Sequence, residues 1–338
     1  MSKSLLIQWF ILLNCFTSYS QNRTEDFEIA LPEQKVQNSL YNKISFLDSR
    51  DDTTYMGIVQ LGAFNKKAKV ISKIPLEAQL RKVMSSLTDS TGKNGELLFQ
   101  LRQFNFAEIT GAVNEKGYCY LKAALYSKTR DQYQSISSID TVILIKSMDV
   151  TRALFRNGSK VISNFIETNL LHEPGSLNYY SYNDVVNMDS IEKRSIAVYN
   201  ISKFSDGLYN TYTSFKNQTS DAEISVNMKD EKIFSVKALD KMGKAVKVKA
   251  KDIYAIVYNG QPFIATEYGY YPLQKMNDDF FFTGRAKVTA KTGDVIAASF
   301  FFGIIGGLIA SNSEAIFEMK IDHSNGGFIR MKEIKNSN

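Results

Sequence analysis

The order of strand and helix signals along the sequence predicts an α+β fold. Residues 55–171 carry the signals of a strand, a helix, three strands and a second helix, whereas residues 201–338 carry mainly strand and turn signals. An uncharged segment, residues 295–310, interrupts the second group. The predicted architecture is therefore an N-terminal strand–helix–meander–helix domain, followed by a β-rich domain with an apolar connecting segment.

Two helices are predicted in the first domain from apolar residues at helical spacing. Pro75 opens the first helix, because proline is tolerated in the first helical turn. Its apolar stripe recurs at i, i+4, i+7 and i+11: Leu76, Leu80, Val83 and Leu87. The second helix covers residues 149–171, with Asp149 as the N-cap, and Pro174 and Gly175 end it.

The strands are predicted from alternation and from turn residues between the runs. Residues 97–101, 118–126 and 139–145 form the predicted meander of the first domain. In residues 118–126, one face carries Cys119, Leu121, Ala123 and Leu125, and the other carries Tyr118, Tyr120 and Lys122. In the second domain, Asn259 and Gly260 predict a tight hairpin turn. Residues 315–321 and 328–334 predict another hairpin, and Lys247, Lys249 and Lys251 alternate with small apolar residues on a predicted strand with a basic outer face.

The N-terminus predicts export. Lys3, the apolar residues 5–16 and the small residues Ser18 and Ser20 form a signal peptide over residues 1–20. Lipoprotein processing at Cys15 is the alternative, although the residues before it match a lipobox poorly. The remaining divisions are a lead-in (21–50), an α/β domain (51–173), a linker (174–200) and the β-rich domain (201–338). The expected location is the periplasm or the outer membrane.

Cysteine content and charge agree with a bacterial envelope protein. Without residues 1–20, Cys119 is the single cysteine and no intramolecular disulfide can form. The formal net charge of +6 is moderate. An exported protein seldom meets nucleic acid, so no nucleic-acid partner is expected. A basic face turned toward an anionic membrane or envelope polymer and a merely solvated basic face both stay open.

Motifs that carry catalysis or bind cofactors do not occur in the sequence. Zinc, phosphate-loop, dinucleotide and nucleophile-elbow patterns are missing, and the two histidines, His172 and His323, stand beside turn residues. Asp322, His323 and Ser324 are three triad residue types side by side, but a triad is assembled from separate segments, so a turn is predicted. The adjacent carboxylates Asp51–Asp52 and Asp278–Asp279 are predicted loop residues. We therefore expect no enzyme, with no catalytic, cofactor-binding or metal-binding residues and no cofactor.

Two stretches of the first domain carry a resemblance to a known family. KGYCYLKAALYSKTRDQYQ, from Lys116, and DVTRALFRNGSKVISNFIETNL, from Asp149, resemble the auxiliary lipoprotein domains associated with ABC-type lipid transporters in Gram-negative envelopes. The resemblance implies an envelope location and a non-enzymatic role. In the second half, DGLYNTYTSFKN, from Asp206, is similar to a segment of uncharacterised Gram-negative envelope proteins and implies no activity.

The apolar segment 295–310 has three interpretations: a core connection, a membrane contact, or a contact with a protein partner. Its length lies between those of a buried helix and a membrane-spanning helix. A single crossing would separate the strands predicted on its two sides, which favours a segment that leaves and returns on one side. The candidate contact residues are Phe300, Phe301, Phe302, Gly303, Ile304, Ile305, Gly306, Gly307 and Leu308.

Three functions are open at this point. The first is a non-enzymatic envelope accessory or binding protein, whose partner is an envelope protein or a membrane surface. The second is a structural or assembly component docked on a membrane through residues 295–310. The third is an unrecognised exported hydrolase. No small-molecule cofactor is expected for the first two.

Overall fold

Strand is the dominant element of the mixed α+β fold. In the computed structural model, the structure describes residues 23–62, 66–110, 115–147, 150–175, 177–239, 242–288 and 313–334. Strands make up 49% and helices 21%, which confirms the predicted α+β class. The predicted signal peptide and residues 295–310 lie outside the described residues. The division into the predicted domains stays a prediction.

The first half of the chain builds a mixed seven-stranded sheet. Its strands are β1 (Thr24–Phe27), β2 (Tyr41–Asp48), β3 (Gly57–Leu61), β4 (Lys66–Ser72), β5 (Gly95–Thr110), β6 (Glu115–Thr129) and β7 (Gln132–Ser147). The order is β1-β4-β3-β5-β6-β7. Strand β2 pairs in parallel with the first part of β5, and β3 pairs with β5 further along. The long antiparallel strands β5, β6 and β7 are the predicted meander.

The stretch predicted as a lead-in, residues 21–50, contributes two strands to this sheet. Strand β1 pairs in parallel with β4, and β2 pairs in parallel with β5. The stretch interpreted as a lead-in therefore contains two strands of the first sheet. Only a few apolar side chains, among them Phe27, Tyr41 and Ile44, are buried here, so no clear alternation marks the strands.

Two helices pack on one face of the sheet, as the apolar stripes predict. They are α1 (Leu76–Leu87) and α2 (Val150–Asn169). All four stripe residues of α1 are buried. Helix α2 lies so close to β6 that a Cβ atom on Gly117 would stand 2.4 Å from the Cγ1 of Val150. Glycine is therefore required where the helix crosses the strand.

Strand β6 is buried on both faces, and its alternation is the predicted one. Cys119, Leu121, Ala123 and Leu125 belong to the core beneath α1 and α2. Tyr118 and Tyr120, on the other face, belong to a second core that contains side chains from the later sheets. Since Lys122 shares that second face, it points toward the C-terminal part of the chain.

Short elements connect the first sheet to the later ones. They are α3 (Tyr182–Val186), α4 (Met188–Arg194), α5 (Ala197–Asn200), β8 (Gly207–Tyr209) and α6 (Tyr212–Lys216). The Ser181 hydroxyl accepts from the Asp184 backbone N–H and the Asp184 carboxylate accepts from the Ser181 backbone, so α3 begins with a capping box.

Three small sheets follow. The strands are β9 (Ile224–Lys229), β10 (Lys232–Leu239), β11 (Ala245–Val248), β12 (Ala255–Tyr258), β13 (Gln261–Thr266), β14 (Gly269–Pro272), β15 (Gln274–Met276), β16 (Asp279–Val288), β17 (Ser313–Ile321) and β18 (Phe328–Ile334). Their orders are β11-β10-β9, β14-β13-β12-β8 and β15-β16-β17-β18. The hairpin at Asn259–Gly260 is confirmed, with φ of 52° and 75°. The predicted lysine strand is shorter than expected, because a 3₁₀ turn (Ala250–Asp252) follows Lys249.

The strands on either side of the apolar segment pair with each other. Strands β16 and β17 are antiparallel, and Val288 stands directly opposite Ser313. The described chain therefore leaves this sheet at Val288 and returns to it at the directly opposite Ser313. Among the described residues, no helix has the length and apolarity needed to cross a membrane.

Candidate functional site: a buried ionic junction

A cluster of charged side chains lies where the first sheet meets the C-terminal hairpin. We call it the ionic junction. Two cations of the first sheet face two carboxylates of α4. They also face two side chains of the turn between β17 and β18. Its members are Arg102, Lys122, Asp189, Glu192, Asp322 and His323.

A β-bulge delivers Arg102 to the junction. Leu101 pairs with Ala123 and Gln103 with Lys122, so Arg102 is the extra residue of β5. A bulge inserts one residue and re-aims the side chains that follow. The Arg102 side chain is only 10% exposed, and it reaches across to helix α4.

Helix α4 supplies two carboxylates from one face, because residues three apart are neighbours on a helix. The Arg102 guanidinium donates to Asp189, and to both Glu192 oxygens at 2.8 and 2.6 Å. The His323 Nε2 lies 2.7 Å from Glu192 Oε2 and 3.5 Å from the guanidinium. Glu192 is thus held by two basic side chains. Lys193, the next residue of α4, donates to Asp279 at 2.6 Å and ties the helix to β16.

The second half of the junction is a buried ion pair. The Lys122 ammonium donates to the Asp322 carboxylate oxygens at 2.9 and 3.1 Å and to the Ser324 hydroxyl at 2.8 Å. The side chains of Lys122 and Asp322 are 9% and 6% exposed. Asp322 also accepts from the backbone N–H and the hydroxyl of Ser324, which close the turn. Asn325 donates to Asp140 of β7 at 3.0 Å and extends the contact.

The environment keeps both central carboxylates ionised. Burial would raise the pKa of Glu192, but hydrogen bonds from His323 and Arg102 and their charges lower it to about 2. Burial would likewise raise the pKa of Asp322, and the charge of Lys122 together with the Ser324 hydrogen bonds holds it well below the ordinary range. Burial would lower the pKa of Arg102, but Glu192 and Asp189 raise it further above its usual value. Each of these pKa shifts favours the charged form of its side chain.

Three potential metal ligands converge in the junction. Asp189, Glu192 and His323 bring one ligand atom each within 4.8 Å of one another. The Arg102 guanidinium donates to both carboxylates, so a protein cation already occupies the position that a metal ion would take. The carboxylates among these potential metal ligands are therefore already engaged in ion pairs within the protein.

The predicted turn at Asp322–Ser324 does not arrange its side chains as a catalytic triad. Ser324 hydrogen-bonds with Asp322 and Lys122, whereas His323 hydrogen-bonds with Glu192. In a triad the histidine would link the carboxylate to the hydroxyl. Here the three neighbouring residues belong to two different ionic contacts.

The sequence interpretation missed the junction, and one signal could have located part of it. The inward residues of β5 are odd-numbered up to Leu101 and even-numbered from Phe104 onward. This change of parity marks a bulge at residues 102–103. The predicted contact residues of segment 295–310, Phe300 to Leu308, lie outside the described residues, and His172 bonds locally with Asn169.

Comparisons with known proteins leave the chain without an assigned family. A comparison with protein-family models finds no match, and neither does one with curated proteins. A crystal structure of a protein from Xanthomonas campestris, described by the family model DUF330, aligns with 50% of this chain and 99% of its own at a TM-score of 0.28 and 9% identity. At these values no fold or function is transferred, and the resemblance to auxiliary lipoprotein domains stays a prediction.

Proposed function

We propose that this chain is a non-enzymatic accessory or binding protein of the bacterial cell envelope. The observation that carries the proposal is the pairing of Glu192 and Asp322 of the ionic junction with cations of the protein. A general acid needs a pKa near the working pH, and enzymes raise carboxylate pKa values to obtain it. The pKa values of Glu192 and Asp322 are instead lowered, and each carboxylate is paired with a buried cation.

The junction instead joins distant parts of the chain. Lys122 and Asp322 are 200 residues apart, and Arg102 and Glu192 are 90 apart. Contacts of this kind fix the relative position of the first sheet, α4 and the C-terminal hairpin. A rigid assembly of sheets with surfaces open for contact is what a binding or accessory protein requires. The proposed location rests on the export signal predicted in residues 1–20.

Fractionation of the native host tests the envelope role. Specific antibodies should detect the protein in the periplasmic or outer-membrane fraction, and crosslinking in intact cells should give discrete adducts with envelope proteins. Recovery in the cytoplasmic fraction would contradict the proposed location.

A hydrolase assay tests the non-enzymatic role. The purified protein should show no turnover of ester, phosphoester, peptide or glycoside substrates above a denatured control. Turnover that Glu192→Gln or His323→Gln abolishes, with an unchanged circular dichroism spectrum, would show that the junction is catalytic.

A further inference from the structure

The sheet β9-β10-β11 carries a row of lysines on one face. Cross-strand partners share a face of a sheet, so the register assigns these residues to two sides. Val226, Val236 and Val248 are opposite one another and belong to the core contact with the neighbouring sheet. The other side, which we call the lysine face, carries Lys229, Lys232, Lys237, Lys247 and Lys249.

The lysine face is exposed, and its cations stand opposite one another. All five side chains are exposed. None of them forms an ion pair with any residue that the structure describes. Lys237 stands directly opposite Lys247, and Lys229 directly opposite Lys232. Like charges at directly opposed positions destabilise a sheet. An anionic partner would remove this repulsion.

Apolar side chains are exposed on the same sheet. Phe234 is 70% exposed and stands at the bulge between Ile233 and Ser235, where the strand register shifts. Leu239, the last residue of β10, is 37% exposed, and Met242, which precedes β11, is 88% exposed. Burial of an exposed phenylalanine side chain by a partner is favourable, because it removes apolar surface from water. The sheet therefore exposes both cationic and apolar side chains to solvent.

The combination of exposed lysines and exposed apolar side chains favours an anionic membrane over a soluble anionic polymer as the partner. Peripheral membrane segments place aromatic and aliphatic side chains at the boundary of headgroups and acyl chains while lysines attract the anionic lipids. A soluble anionic polymer would engage the lysines but would gain little from Phe234 and Met242.

We propose that the sheet β9-β10-β11 docks on an anionic phospholipid surface, with Phe234 inserted at the headgroup level and the lysine face held by lipid phosphates. This docking proposal rests on the function proposed above in one respect only, namely that the protein is in the cell envelope, where it can contact a membrane. The docking surface is separate in sequence from residues 295–310.

Insertion of position 234 is measured with a fluorescent reporter. Trp9 is the single tryptophan of the chain, so the full chain with Trp9→Phe and Phe234→Trp carries one reporter. On vesicles of 70:30 phosphatidylcholine and phosphatidylglycerol at low salt, its emission should shift to the blue, and brominated acyl chains should quench it. Pure phosphatidylcholine, or 0.5 M salt, should abolish both effects. The control Trp9→Phe with Leu177→Trp, at a 93% exposed position elsewhere, should show neither.

The lysine contribution is measured by vesicle cosedimentation. Lys237→Gln with Lys247→Gln should weaken partitioning roughly 30-fold, since each lysine near an anionic surface contributes about 1 kcal/mol. The control pair Lys82→Gln with Lys160→Gln removes two exposed helical lysines and should change partitioning less than twofold. Residues 1–20 and 295–310 are present in all variants, so their contribution is common to every comparison.

Three results would overturn the proposal: no blue shift at position 234, equal weakening by the two lysine pairs, or tighter binding to dextran sulfate than to vesicles without insertion. The last would identify a soluble anionic polymer as the ligand. Purified protein and synthetic vesicles do not depend on cellular location. If the vesicle experiments fail and the protein is still found in the envelope fraction, only the docking proposal is refuted. If the protein is found in the cytoplasmic fraction, only the proposed envelope role is refuted.

Discussion

Substitution of Lys122 by methionine isolates the buried half of the ionic junction. Methionine keeps the apolar stem but removes the ammonium, which donates to Asp322 at 2.9 and 3.1 Å. Asp322, whose side chain is 6% exposed, would then retain only the Ser324 donors and the Tyr120 hydroxyl at 3.4 Å. Removing one partner of a buried pair costs about 3–5 kcal/mol, because the remaining charge stays buried without compensation.

Urea unfolding followed by circular dichroism measures this loss. With a slope of about 3 kcal/mol per molar urea for a chain of this size, the midpoint should fall by roughly 1–1.7 M. Lys128→Met is the matched control on the same strand, since Lys128 pairs with Glu96 at 3.2 Å and both side chains are about 30% exposed. That pair should contribute less than about 1 kcal/mol.

A double variant separates lost charge compensation from lost packing. Lys122→Met combined with Asp322→Asn removes both charges while keeping the Ser324 hydrogen bonds in the turn. It should recover about 1–3 kcal/mol relative to Lys122→Met alone. If Lys122→Met lowers the midpoint no more than Lys128→Met does, the buried pair does not hold the junction and the reasoning is refuted.

The other predictions use the same unfolding assay. Arg102→Gln should cost about 2–3 kcal/mol, and Arg102→Lys should recover less than half, because lysine cannot bond bidentately to Glu192; full recovery would show that charge alone matters. Folding lowers the pKa values of Glu192 and Asp322, so both contributions are present above the unfolded values and are lost in acid. The Glu192 contribution is lost as the pH falls from about 4.5 toward about 2; because Glu192 is 37% exposed, screening leaves about 1–2 kcal/mol, and a flat midpoint over that interval would contradict the prediction. Gly326→Ala should cost more than about 2 kcal/mol, because φ is +77° and the new Cβ would lie 2.2 Å from a tyrosine ring atom. The control Gly243→Ala, also at +77° but with nothing within 4 Å, should cost only about 1 kcal/mol. Equal losses would show that the backbone conformation alone causes the effect.

Local sequence patterns predicted the elements whose periodicity is set by nearby residues. The stripe of α1 and the Asn259–Gly260 hairpin are of this kind, and the structure confirms both. Strands β1 and β2 escaped prediction because parallel pairing to a strand dozens of residues away leaves no local signature.

The ionic junction depends on contacts that no local pattern encodes. Lys122 meets Asp322 across 200 residues. The sequence placed Lys122 on the correct face of its strand, but it could not show what covers that face. For Arg102, the parity change from Leu101 to Phe104 indicates a bulge, yet it does not identify α4 as the partner.

The urea midpoint of Glu192→Gln tests the central claim most directly, namely that the junction stabilises the fold and performs no chemistry. Glutamine preserves the shape of the side chain, removes the charge that Arg102 and His323 share, and replaces one of the two acceptor oxygens with an amide donor. We predict a loss of about 1–2 kcal/mol relative to the unsubstituted chain. Residues kept for catalysis are commonly held at the expense of stability, so their replacement leaves stability unchanged or raises it. A midpoint equal to or above that of the unsubstituted chain would therefore contradict the structural role and identify Glu192 as part of a functional site.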